Sequence, residues 1–212
     1  TEMIALGRSL TAAEAELRVP QSPAWAIRDV IAHVVGIVDD ILSDNLADIG
    51  ADSWTEVHVS SRADKTLDQI CDEWSALAPG FDALGEVNPV MPMRAGADLI
   101  THYHDILQAL GRQSDRDTAA VRMGLERYGP FFCERAEQAG LPVVRVEAGP
   151  QVWQSGDGEP VAVLTGSAFD LLRAFSGRRS AAQILSMDWT GDAEPYVTVA
   201  SPYGLPLEDV PE

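Results

Sequence analysis

Ile27, Ile31, Val34, Val38 and Ile41 recur at the three-and-four spacing of an α-helix, a broad core-facing stripe running to about Leu46. Ser22-Pro23 just before it predicts an N-cap followed by proline at the first helical position. Upstream, Thr1 to Arg18 is rich in Ala, Leu and Glu without internal proline, which also predicts helix. Residues 49–65, with Gly50, Asp52, Ser53, Ser60 and Ser61, predict a long connection. Leu67 to Leu84 is again amphipathic, with Ile70, Trp74 and Leu77 on one side and Pro79-Gly80 as an expected end or kink. A helix from about Met93 to Leu110 should stop at Gly111. Another from Ser114, its expected N-cap, to Gly140 should kink or break at Pro130.

The periodicity then changes. Pro142-Val-Val-Arg-Val-Glu alternates and is β-branched, and Val152-Trp-Gln and Val161-Ala-Val-Leu-Thr offer two further strands across the turn-rich Ser155-Gly-Asp-Gly. Phe169 to Phe175 and Ala181 to Met187 predict short helices, and Tyr196-Val-Thr-Val-Ala a last strand. The expected organisation is therefore mainly α: a helical bundle over residues 1–140 and a small α+β domain over 141–212. No repeat or low-complexity segment interrupts it.

The chain of 212 residues is 46% hydrophobic and 23% charged, the composition of a globular protein able to bury a core. Its 15 Lys and Arg against 33 Asp and Glu give a formal net charge of -18, which repels nucleic acid and anionic lipid and argues against both as partners. No apolar run reaches the roughly 20 residues that span a membrane, and no basic, hydrophobic leader opens the chain at Thr1. Cys71 and Cys133 stand far apart with no C-x-x-C pair, so reduced thiols in a cytoplasmic protein are expected instead of a disulfide framework.

Chemistry concentrates in two places. Asp98 and His102 stand four residues apart and so share one face of a helix, and His33 lies at the edge of the first apolar stripe, beside Val30 and Ile37. Two imidazoles and a carboxylate leave open positions on a divalent metal, the arrangement of a reactive site. The same spacing also describes a hydrogen-bonded i,i+4 pair, and a histidine beside a core is often satisfied by its neighbours, so the ligand and structural readings both stand here. Asp105, one turn on, is placed to orient His102. His104 should turn about 200° away from His102 on a helix, and His58 could reach the site only if its loop folds over it. Trp25 is expected in the core and Asp29 as a hydrogen-bond partner of the backbone.

Trp25-Ala-Ile-Arg-Asp-Val-Ile-Ala-His33 resembles the W-x-x-x-D-V-x-A-H signature of the mycothiol-dependent maleylpyruvate isomerase-like family, within the DinB-like superfamily of metal-binding four-helix bundles. The segment from Arg94 through Asp98, His102 and Asp105 to Gly111 is similar to the second half of that signature. Gly177-Arg178-Arg179-Ser180, Gln183 and Asp188-Trp189-x-Gly191-Asp192 are similar to the C-terminal domain of one branch. The matches run from about residue 22 to 197.

The resemblance implies a DinB-like four-helix bundle followed by a small α+β C-terminal domain, with His33, Asp98 and His102 as ligands to a divalent metal, zinc first. The acid is most often Glu in the characterised isomerase; Asp98 is one methylene shorter. The resemblance also implies mycothiol as a small-molecule thiol cofactor and a small electrophilic substrate as partner. Thiolate addition to a conjugated double bond, rotation and loss of the thiol give an isomerase; retention of the thiol gives a transferase. A catalytic arginine in the C-terminal domain aligns with Arg178, and Arg179 is the second choice. The alternative is a catalytically inactive binding or interaction module that the metal merely stabilises.

Overall fold

The computed structural model describes residues 2–211. Helices account for 55% of the chain, so it is mainly α as expected. Two compact units divide it, Thr1–Ser114 and Asp115–Glu212.

The first unit runs α1 (Glu2–Ser9), α2 (Ala12–Ala15), β1 (Arg18–Val19), β2 (Ser22–Ala26), α3 (Ile27–Ser43), α4 (Asp52–Ser60), α5 (Leu67–Val87) and α6 (Val90–Ala109). Helix α3 is its hub, packing on α4, α5 and α6, while α1 packs on α5. The expected stripe of α3 is buried throughout, from Ile27 to Ile41. Met3, Val19, Ile27, Ile31, Ile70, Trp74 and Ile106 close one core across these elements. Each fully buried aliphatic side chain favours folding by about 1.5–3 kcal/mol, which ties α3 to α5 and α6.

Ser22-Pro23 does not cap α3. Residues 22–26 form β2, antiparallel to β1, and the helix begins at Ile27. The cap comes from inside the helix: the Ala26 N–H donates to Asp29 Oδ2 at 2.9 Å, the backbone partnership expected of Asp29. The expected connection over 49–65 contains α4, and α5 continues through Pro79. Helix α6 ends as expected, with Gly111 at φ 65° and its N–H donating to the Gln108 carbonyl.

The second unit contains α7 (Ala119–Gln138), β3 (Val144–Ala148), β4 (Gln151–Gln154), β5 (Ala162–Thr165), α8 (Ala168–Phe175), α9 (Ala181–Leu185), β6 (Asp188–Thr190) and α10 (Glu194–Val197). The sheet order is β4-β3-β5-β6, with β3 and β5 parallel and the other pairs antiparallel. The boundary expected near residue 141 is corrected to Ser114/Asp115, because α7 packs on α8, β3 and β4. The Phe132 and Phe175 rings stack at 4.5 Å between α7 and α8, which holds α7 to this unit. The cap of α7 is Thr118, whose hydroxyl accepts from the Val121 N–H, not Ser114, and the helix is continuous through Pro130. The expected last strand at Tyr196 is instead α10; the sheet is completed by Asp188–Thr190, with the Trp189 and Tyr196 rings stacked at 5.8 Å.

Candidate metal centre

Helix α3 supplies His33, and α6 supplies Asp98 and His102 one turn apart. Both helices bury the flanks of these residues: Ala32 and Val34 beside His33, Thr101 beside His102. The imidazoles are 5% exposed, while the Asp98 side chain keeps 25% of its surface, so the cluster is approached from the carboxylate side. Trp25 is half-buried with its ring 4.9 Å from that of His33, at the edge of the core where it was expected inside.

Asp98 Oδ2 lies 3.6 Å from His33 Nε2 and 3.7 Å from His102 Nε2. The two imidazoles stand nearly perpendicular with centroids 5.5 Å apart. These separations are long for hydrogen bonds, yet close to the roughly 3.4 Å between ligand atoms that metal bonds of about 2.1 Å impose on a tetrahedron. Among the described residues, His33, Asp98 and His102 are the group whose ligand atoms converge, all within 4.8 Å of one another. Two nitrogens and one carboxylate oxygen suit a divalent cation, and three protein ligands leave a position for an exchangeable one. The cluster can therefore hold a divalent metal ion.

The surroundings favour the neutral, ligating form of His33. Burial lowers the pKa of His33 below its usual value, an effect the neighbouring Asp98 charge only partly offsets. His102 Nδ1 lies 3.2 Å from Asp105 Oδ2, within reach though off the line of a good hydrogen bond, so Asp105 stands where it was expected. His33 Nδ1 lies 3.1 Å from His58 Nδ1. His58 Nε2 in turn meets Asp40 Oδ2 at 2.9 Å. His58 is thus adjacent to the cluster from helix α4, not from a loop. The sequence carries one signal for this: Trp54 and His58 are four residues apart and form the buried side of α4.

His104 lies outside the cluster, buried on another face of α6 with its ring 5.9 Å from that of Tyr103. Arg178 and Arg179 belong to the second unit, between α8 and α9. Arg178 Nη1 donates to the Ser176 carbonyl at 2.6 Å, and Arg179 donates to the Arg178 carbonyl and lies 3.5 Å from Asp170. Both cysteines are buried, and burial pushes the Cys133 thiol up to about 12, which leaves it a poor nucleophile. No helix of the described residues is long and apolar enough to cross a membrane.

Comparison with protein-family models, with curated proteins and with solved structures finds no match to this chain.

Proposed function

We propose that this chain is a divalent-metal enzyme of the mycothiol-dependent, DinB-like kind, acting through a thiol on a small electrophile as an isomerase or S-transferase. The single observation that carries the reading is the convergence of His33, Asp98 and His102 from α3 and α6 onto one point. The resemblance of the residues around those three to the family signature supplies the thiol and the reaction class.

A divalent ion at this point, zinc first, supplies Lewis acidity and lowers the pKa of a bound thiol or water toward neutrality. The protein's part is to keep His33 neutral by burial, to turn the Nε2 atoms of His33 and His102 toward one point, and to set one carboxylate beside them. The half-open Asp98 side admits the thiol and the electrophile. On the resemblance Arg178 is the catalytic arginine, and a guanidinium can offer a carboxylate or enolate two parallel N–H donors.

The test is a kinetic assay of the zinc-loaded protein with mycothiol and a panel of small unsaturated carboxylates, set beside melting curves with and without a chelator. Thiol-dependent turnover that the chelator abolishes supports the enzyme. A chelator-induced fall in melting temperature, without turnover on any acceptor, favours the metal-stabilised binding module.

A further inference from the structure

We propose that His58 is the positioning residue of His33, the middle link of a buried Asp40–His58–His33 chain that fixes which nitrogen of His33 faces the metal. This rests on reading the His33–Asp98–His102 cluster as a metal site.

The direction of the chain follows from counting protons. His33 Nε2 is the atom beside Asp98, so ligation requires Nε2 to carry no proton. The neutral ring then has its hydrogen on Nδ1, 3.1 Å from His58 Nδ1. Two N–H groups cannot face each other at that distance, so His58 Nδ1 is the acceptor and its proton sits on Nε2. That N–H meets Asp40 Oδ2 at 2.9 Å, and a carboxylate only accepts. Every link has one donor and one acceptor with both rings neutral. Without Asp40, His58 is free to take the opposite tautomer, whose Nδ1–H would oppose that of His33. A ligating histidine ordinarily gives its second N–H to a carboxylate or carbonyl; here an imidazole extends the reach to a carboxylate on the same helix as the ligand.

The chain is built in, because each link is held separately. Asp40 Oδ1 accepts from Asn45 Nδ2 at 2.9 Å, which fixes the carboxylate at the end of α3. The His58 carbonyl accepts from Arg62 Nη1 at 3.1 Å, and the Trp54 ring stands edge-on at 4.2 Å. Gly36, one turn after His33, opens the space: a Cβ there would lie 2.5 Å from His58 Cβ and Cδ2. The missing side chain lets α4 lay its imidazole directly on α3.

The test uses Zn²⁺ alone as probe, with affinity read by chelator competition for the full chain and for His58→Ala and Asp40→Leu. Both variants should bind one ion per chain about 10–100-fold more weakly than the parent. Asp40→Leu is close to Asp in size but offers His58 Nε2–H no acceptor, and it decides the matter if His58→Ala fails to fold. Imidazole nitrogen NMR of the zinc-loaded parent separates positioning from mere packing. It should show His33 protonated on Nδ1 and His58 on Nε2, with the His33 Nδ1 proton exchanging faster in Asp40→Leu. Unchanged affinity in the variants, or a spectrum with zinc on His58 itself, overturns the proposal while the metal site stands. A parent chain that binds no zinc overturns both.

Discussion

Asp105 and His102 form a buried pair on consecutive turns of α6: Asp105 is 0% exposed, and its Oδ2 lies 3.2 Å from His102 Nδ1. The carboxylate has little reason to be inside the unit except to serve a neighbour, since burying a charge is costly unless it is paired. From that position it can orient the His102 ring so that Nε2 faces the cluster. Asp105→Ala should weaken Zn²⁺ binding by about 10–100-fold, and Asp105→Asn, which retains an acceptor oxygen, by less. Chelator competition measures both, and equal loss in the two variants would show that the negative charge, and not an acceptor oxygen, is what matters.

Glu73 makes stability depend on pH in a direction the structure sets. Burial raises its pKa, but Lys65 and Arg62, each 2.5 Å from a carboxylate oxygen, outweigh that and leave it below the usual 4.5. The folded state therefore holds the proton less tightly than the unfolded chain. The contribution is fully present above 4.5 and is lost as pH falls through the folded value. Urea midpoints of the parent and Glu73→Gln, compared in metal-free buffer, should differ most near neutrality and converge below pH 4.5. A gap independent of pH would assign the loss to packing instead.

Much of the centre was legible because helical spacing is a strong constraint. Asp98 and His102 must share a face at i,i+4, and His33 sits on a stripe whose burial is written in Ile31, Val34 and Val38. His58 was obscured because α4 has little apolar periodicity; its buried side is a tryptophan and the histidine itself, set among Asp52, Ser53, Glu56 and Ser60. Residues 22–26 misled because Ser-Pro suits both a helix start and a short strand, and the pairing with β1 decides between them. Tyr196-Val-Thr-Val-Ala has strand propensity, yet Pro195 at the first turn and the stacking of Tyr196 on Trp189 favour a helical turn. The change of composition near Pro142 marks where strands begin, not where packing divides. The apolar face of α7 does not name its partner, and Phe132 meets Phe175 only in three dimensions.

Gly129 reverses the usual effect of a helical glycine. In an open helix Gly→Ala stabilises by roughly 0.5–1 kcal/mol. On α7 a Cβ at this position would lie 2.6 Å from Trp153 Cε3 on β4. Gly129→Ala should therefore destabilise the protein, by about 1–3 kcal/mol, as measured by denaturant unfolding. A stabilised variant would show that Trp153 yields easily.

The cysteines should be silent in the native protein. Cys71 and Cys133 are buried, with thiol pKa values raised first by burial. At pH 7.5 an aromatic disulfide reagent should label neither within minutes, and should label both after denaturation. Fast native labelling at either position would reopen a thiol of the chain itself as the nucleophile.

The central claim is that His33, Asp98 and His102 together hold one divalent ion. Its most direct test is elemental analysis of the parent chain and of His102→Ala after equilibration with Zn²⁺ and removal of excess ion, with helix content followed by circular dichroism. One zinc per parent chain, and little or none in a still-helical His102→Ala, is the predicted result. A parent without bound zinc, or a variant that retains it in full, contradicts the account.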